Sequence, residues 1–193
     1  MTFAPPPSTA AWRHRTAREG FEVAYFRVTE LGVLIDGCTS AVEDGAAWVV
    51  DYQIALDTEW RTRRAQVAIR KPGGWNTLVL ESDGAGSWLL DAMPAPLLDG
   101  CLDVDLESSA LTNALPVHRL ALEAGESAEA PAAYVFALGT AVARLEQRYV
   151  RIADGEHGPR FDYTAPEFDF TCTMEYDKSG LVLDYPGIAV RAQ

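Results

Sequence analysis

Apolar and polar residues alternate with a period of two along much of this chain, the pattern of strands that bury one face. The run Phe168, Phe170, Cys172, Met174, Tyr176 is interleaved with Asp169, Thr171, Thr173 and Glu175. Trp48, Val50, Tyr52, Ile54 and Leu56 alternate in the same way, and Leu102, Val104 and Leu106 face away from Asp103 and Asp105. Further strands are predicted at 21–27, 33–36, 61–70, 77–81, 88–91, 117–123, 134–137, 181–185 and 188–191. Between them fall Pro72-Gly73-Gly74, Asp83-Gly84-Ala85-Gly86, Asp154-Gly155 and Asp177-Lys178-Ser179-Gly180. Gly and Asp at such places supply the positive φ of tight hairpins, so the strands follow one another as an antiparallel meander.

Helical signal is sparse. Residues 130–149 have a helical composition, but Gly139-Thr140 interrupts them and no full apolar stripe forms, which predicts two strands. Residues 108–115 are read as one helical turn capped by Ser108, and 125–131 as a polar loop. Ten or more strands in a chain of 193 residues exceed what a flat open sheet tolerates. The predicted fold is all-β with at most one or two short helices, a strongly curved antiparallel sheet forming a spiral β-roll or half-barrel. Residues 1–10 are expected to be a frayed N-terminus and 11–193 a single β-roll domain. A rolled sheet encloses an apolar interior, which makes a ligand cavity the first functional expectation.

Composition narrows the partners. The formal net charge of −12 repels phosphate backbones and anionic bilayers, so no nucleic acid and no membrane insertion are expected. No stretch reaches the ~20 apolar residues of a membrane span, and the N-terminal residues lack the apolar run of a secretory signal, which predicts a cytoplasmic, bacterial-type acidic protein. The three cysteines, Cys38, Cys101 and Cys172, are widely spaced and are expected to be buried free thiols. His14, His118 and His157 have no metal-ligand spacing, so neither metal nor cofactor is expected.

The candidate chemistry lies in a few polar residues. Asp103 and Asp105 share one strand face about 7 Å apart. Such a pair can hold a divalent ion or act in acid–base catalysis, or simply face water and ion-pair. If alternation is unbroken, Arg61 and Arg63 share a face with Ala65, Val67 and Ile69. Two guanidiniums aimed at the apolar side would clamp an anionic head group; a bulge, or pairing with Asp103 and Asp105, would remove the anomaly. Gln147 lies between Leu145 and Tyr149 on an apolar face and needs hydrogen-bond partners. Asn113 and Arg119 are close to the Asp pair in sequence. The candidate ligand-binding set is therefore Arg61, Arg63, Asp103, Asp105, Asn113, Arg119, Gln147 and Tyr149. The Asp83–Ser87 loop has neither the lysine nor the helix of a phosphate loop, and no nucleophile elbow is present.

The run from Leu98 to Leu106, with Gly100-Cys101-Leu102-Asp103-Val104-Asp105, continues through Thr112-Asn113-Ala114-Leu115-Pro116-Val117-His118-Arg119-Leu120. Around it stand Trp60-Arg61-Thr62-Arg63, Asp83 to Trp88, Gln147-Arg148-Tyr149, and Asp177 to Pro186. In this order the chain resembles the putative glycolipid-binding family of bacterial proteins, formerly a domain of unknown function, over roughly residues 12–191. It departs from that pattern in having Ser109-Ala110 where Thr-Pro is expected, and His118 where Arg is expected. The resemblance implies a strongly curved antiparallel roll, similar in shape to bacterial lipoprotein carriers and to mycobacterial lipid-binding lipoproteins. It also implies a lipid, glycolipid or other amphipathic small molecule as ligand.

Three readings follow. The first is a non-catalytic binding module, the ligand's tail lying against Phe168, Phe170, Met174, Trp48 and Ile54 and its head group near Arg61 and Arg63. The second is an enzyme on a small anionic or sugar substrate, with Asp103 or Asp105 as general base and Arg61, Arg63 or Arg119 stabilising charge. The third is a homodimeric structural or interaction protein paired through an edge strand or the convex face. The motifs lean away from an enzyme.

Overall fold

The computed structural model describes residues 3–16, 18–71, 73–139 and 141–192. The strands are β1 (Thr9–His14), β2 (Glu19–Thr29), β3 (Gly32–Glu43), β4 (Ala46–Leu56), β5 (Thr62–Lys71), β6 (Gly74–Ser82), β7 (Trp88–Leu90), β8 (Met93–Pro94), β9 (Asp103–Leu106), β10 (Ser127–Glu129), β11 (Ala132–Val135), β12 (Val142–Leu145), β13 (Arg148–Ile152), β14 (Arg160–Ala165), β15 (Phe170–Tyr176), β16 (Val182–Tyr185) and β17 (Ala189–Arg191). The α-helix described is α1 (Ala114–Leu120), entered through a 3-10 turn at Leu111–Asn113.

Among the described residues, fourteen strands form one sheet in the order β10-β13-β14-β15-β16-β17-β1-β2-β3-β4-β5-β6-β7-β8. Two meanders, β1–β8 and β13–β17, join where β17 pairs with β1, with Trp12 opposite Arg191. Every neighbouring pair in this sheet is antiparallel, from Phe21 opposite Ser40 in the middle to Glu129 opposite Arg148 at one edge. The sheet curves strongly, but β8 and β10 end as separate edges, so it does not close into a barrel. The hairpin turns use the residues expected of them. Gly84 and Gly86 take φ of +77° and +107°, while Asp83 Oδ1 accepts the amides of Ala85 and Ser87 at 2.7 and 3.0 Å.

The inner face of the curve is filled by the chain's own middle segment. Leu98, Cys101, Val104, Leu106, Leu111, Leu115 and Val117 are each at most 1% exposed. Hydrogen bonds run from the sheet to this segment along its length. Trp88 Nε1 donates to Cys101 O at 2.8 Å, and the Thr62 amide donates to Leu102 O at 2.9 Å. Thr62 Oγ1 accepts from the Val104 amide at 3.0 Å, and Thr39 Oγ1 donates to Ser108 O at 2.8 Å. The deepest tie is Glu22, fully buried on the inner face of β2. Its carboxylate accepts from Tyr52 Oη at 2.6 Å, from Ser109 Oγ and from the Ala110 amide at 2.8 Å. Burial pushes the Glu22 carboxyl up and these donors pull it back. Gly37 makes room for this arrangement, since a Cβ there would lie 2.1 Å from Tyr52 Cζ.

Several sequence expectations are revised. Residues 117–123 are not a strand; α1 runs to Leu120, and its buried side (Ala114, Leu115, Val117) is set by packing against the roll, which overrides weak local propensity. Ser108 caps nothing: the 3-10 turn starts after Ala110 without a side-chain cap, and Ser108 O faces Thr39 instead. Residues 130–149 hold β11 and β12, as two strands, and β13 begins at Arg148. The polar loop 125–131 contains the short edge strand β10, and β1 begins inside the segment 1–10. Met1, Thr2, Ala17, Pro72, Thr140 and Gln193 lie outside the described residues, including parts of the predicted 72–74 turn and of the 139–140 break. Cys38, Cys101 and Cys172 are free; Cys101 is buried and the other two are half-buried.

Replacing Glu22 with Ala strands the Tyr52 and Ser109 hydroxyls and the Ala110 amide without a partner in the core. The expected loss is about 3 kcal/mol or more in urea denaturation at neutral pH. Gly37→Ala is expected to lose about 2 kcal/mol through overpacking against Tyr52. Wild-type urea midpoints for both would contradict this account of how the middle segment is held.

Candidate functional site

The small sheet, β12-β11-β9, supplies one wall of a cleft and β14–β17 the other. In it β9 runs parallel to β11, with Asp105 opposite Tyr134. The cleft has a volume of about 220 Å³, below the several hundred Å³ typical of drug-sized ligands. Its aromatic members are Tyr134, Tyr163, Phe168, Phe170 and Tyr185. Phe168 and Tyr134 lie 5.4 Å apart between centroids, and Phe170 and Tyr185 5.9 Å. Its polar members are Arg18, Asp105, Glu107, Ser109 and Asn113. Alternation explains the aromatic wall: Tyr163 and Phe170 point inward from adjacent strands, with Ala165 directly opposite Phe170.

Asp105 is 7% exposed and has no charged partner in its hydrogen bonds. It accepts from Thr112 Oγ1 at 2.8 Å and from Gln147 Nε2 at 2.5 Å. Burial raises its carboxyl to about 6, against the pull of these two donors. Gln147 Nε2 also donates to Tyr163 Oη at 3.0 Å, and Tyr149 Oη donates to Asn113 Oδ1 at 2.9 Å. The lone amide on an apolar face has thus found its partners inside the fold. Glu107 Oε2 accepts the Ala137 amide at 2.7 Å.

Among the cleft residues that the sequence did not single out, together with Glu107, Ser109, Tyr134, Tyr163 and Tyr185, is Arg18. Its side chain is only 8% exposed and lies 3.7 Å from Glu43 and 3.8 Å from Glu107. Nη1 donates to Glu107 O at 3.0 Å, while the buried Nε has no hydrogen-bond partner. The guanidinium also sits 5.3 Å from the Trp48 ring. The signal available in the sequence was an arginine just before an alternating strand; nothing local marks it as buried.

The two predicted arginines are elsewhere. The β4–β5 register shifts where Leu56 pairs with Thr62 and Ala55 with Arg64, so Arg63 is the extra residue of a bulge. That turns Thr62 inward and leaves the Arg61 and Arg63 side chains 39% and 47% exposed. Arg61 pairs with Glu59 at 2.8 Å, and Arg63 Nε donates to Ser82 O at 3.2 Å. Neither lines the cleft. Asp103 and Asp105 do share a face, but it is a buried one, since β9 is covered on both sides. Asp103 is held by Arg119, with Nη2 to Oδ2 at 2.6 Å and Nε to both oxygens at 3.1 Å. His118, at the position where the sequence departs from its pattern, stacks on Trp60 at 3.5 Å and bonds Ser179 O at 2.9 Å. Of the residues expected to bind a tail, Met174, Trp48 and Ile54 are at most 2% exposed in the packed core; Phe168, placed in a 3-10 turn and not in a strand, and Phe170 line the cleft. Among the described residues no group of three or more His, Cys, Asp or Glu is placed to hold a metal ion, and no helix is long and apolar enough to cross a membrane.

A family model described as putative glycolipid-binding matches residues 9–191. A crystal structure of a DUF1089 family protein from Pseudomonas aeruginosa is 28% identical, with a TM-score of 0.80, and the match covers 100% of this chain and 97% of that one. A beta-barrel-like protein of a domain of unknown function from Brucella abortus is 10% identical with a TM-score of 0.54 over 98% and 96% of the two chains, a likeness of fold alone. No curated protein matches. The chain belongs to the putative glycolipid-binding family.

Asp105 makes stability depend on pH in a definite sense. Its carboxyl is raised from 3.8 to about 6 in the fold, so the neutral form is the one the fold favours. The stabilisation is fully present below the unfolded value and is lost as pH rises through about 6. Asp105→Asn is expected to remove a fall of about 2 kcal/mol between pH 4 and pH 7.5, read by urea denaturation at both pH values. Asp103 and Glu22, also raised by burial, leave a residual slope of the same sign. An unchanged slope in the variant would mean that Asp105 is ionised freely in the fold.

Proposed function

We propose that this member of the putative glycolipid-binding family binds the head group of an amphipathic small molecule, of which a glycolipid is the best candidate, in the cleft between the small sheet and β14–β17. One observation carries the reading: aromatic rings and buried hydrogen-bonding groups line the same opening. Rings such as Phe168 and Tyr134 offer faces with negative quadrupole to the C–H groups of a sugar ring. Asp105, Glu107, Ser109 and Asn113 offer acceptors and hydroxyl or amide donors at its edge. A volume of about 220 Å³ fits one ring and not a whole lipid. The tail therefore leaves the cleft past Phe168, which is 49% exposed, because the interior of the roll is filled by residues such as Leu106 and Leu111.

A second reading, hydrolysis of a sugar substrate, draws on the raised carboxyl of Asp105 at the cleft wall. Against it, Asp103 is engaged by Arg119, and Arg61 and Arg63 lie outside the cleft. Incubation with p-nitrophenyl glycosides is expected to release no p-nitrophenol; steady release abolished by Asp105→Asn would favour the enzyme.

The test of binding is titration with octyl glucoside below its micelle concentration, followed by calorimetry, together with extraction of the purified protein and mass spectrometry of what is released. Phe168→Ala is expected to weaken octyl glucoside binding about tenfold with little loss of stability, and Arg63→Ala to leave it unchanged. Weakening by Arg63→Ala and not by Phe168→Ala would place the ligand elsewhere.

A further inference from the structure

We infer that the head group bound in this cleft carries a positive charge, an amino sugar or another ammonium-bearing group. The inference rests on the head-group reading above and adds the charge. Arg18, the single cation among the described cleft residues, is already answered twice, by Glu43 at 3.7 Å and by Glu107 at 3.8 Å. Asp105 has no such answer, because its side-chain partners Thr112 and Gln147 are both uncharged. The nearest arginine in sequence, Arg119, is committed to Asp103. The opening therefore holds more carboxylate than cation, and an anionic head group would be repelled.

The aromatic rings act in the same direction. Tyr134 and Phe168 form one tilted pair at 5.4 Å, and Phe170, Tyr163 and Tyr185 are mutually in contact at 5.9–6.2 Å. Rings converging on a small opening beside carboxylates are the arrangement that stabilises a bound ammonium through cation–π attraction. Glu107 is oriented for this by the Ala137 amide on Oε2, and its side chain is 31% exposed, so a ligand can reach it. A neutral sugar gains ring stacking and hydrogen bonds; an ammonium gains the field of Glu107 and Asp105 as well.

Calorimetric titration at pH 7 with methyl glucosaminide, its N-acetylated counterpart and methyl glucoside separates the outcomes. The expected result is that the amine binds about tenfold or more tightly than the two neutral sugars. Glu107→Gln, which keeps an oxygen for the Ala137 amide, is expected to narrow that gap, the amine losing more affinity than either neutral sugar. Asp105→Asn serves as a second variant with the same expected direction. Equal binding of all three sugars, or a gap untouched by both variants, overturns the charge inference and leaves the head-group reading standing. Binding of none of the three overturns both.

Discussion

A buried carboxylate with several donors around it cannot be moved without stranding them all. Glu22 is that group here. From the inner face of β2 it reaches Tyr52 on β4 and, across the hollow of the sheet, Ser109 and Ala110 of the middle segment. The contact joins the sheet to its filling, and it sets how deep the filling sits. Gly37 on β3, directly opposite Tyr52 in register, is the complementary concession, because any side chain there would occupy the space of the tyrosine ring.

The consequence for function is spatial. A curved sheet of this size, left empty, would hold a large apolar ligand. Here residues 98–117 take that volume, tied down by Trp88, Thr62 and Thr39 as well as by Glu22. Beside this filling a cleft is left open, where the small sheet meets β14–β17 and packing stops short. Residues left facing such an opening keep both characters of their surroundings: aromatic rings from the inner face of the sheet, and polar groups from the buried strand and the turn beside it. The centre of the roll is filled, and the opening lined by aromatic and polar residues is a lateral cleft.

The alternating runs carried most of the fold. A strand that buries one face must alternate, and 48–56 and 170–176 do so along their whole length, which made them legible without any tertiary knowledge. Strand β9 carried a different message. Its apolar residues alternate cleanly with two aspartates, which reads as one dry and one wet face, yet both faces are buried because a second layer covers it. Asp103 and Asp105 are tolerated there only because Arg119 pairs with the one and Thr112 and Gln147 satisfy the other. The helix at Ala114–Leu120 was missed for a related reason: seven residues without a side-chain cap have little helical preference of their own, and the surrounding roll imposes the conformation.

By itself, then, the amino-acid pattern determined the β class, the meander, the turn positions and the family, because these depend on local periodicity and on a contiguous motif. It also singled out Gln147, as a polar residue on an apolar face that must be satisfied somewhere, Asp105, as one of a pair of carboxylates on a strand, and Asn113, by its closeness to that pair. Only the tertiary structure decided what they face. One bulge residue at Arg63 reverses the side on which a basic cluster points, and no local feature of the sequence announces it. Arg18 becomes a buried cation only because three distant segments, at Glu43, Glu107 and Trp48, close around it. Register and long-range burial are properties of the whole assembly of strands, and they decide which charges meet water, which meet each other, and which line a cleft.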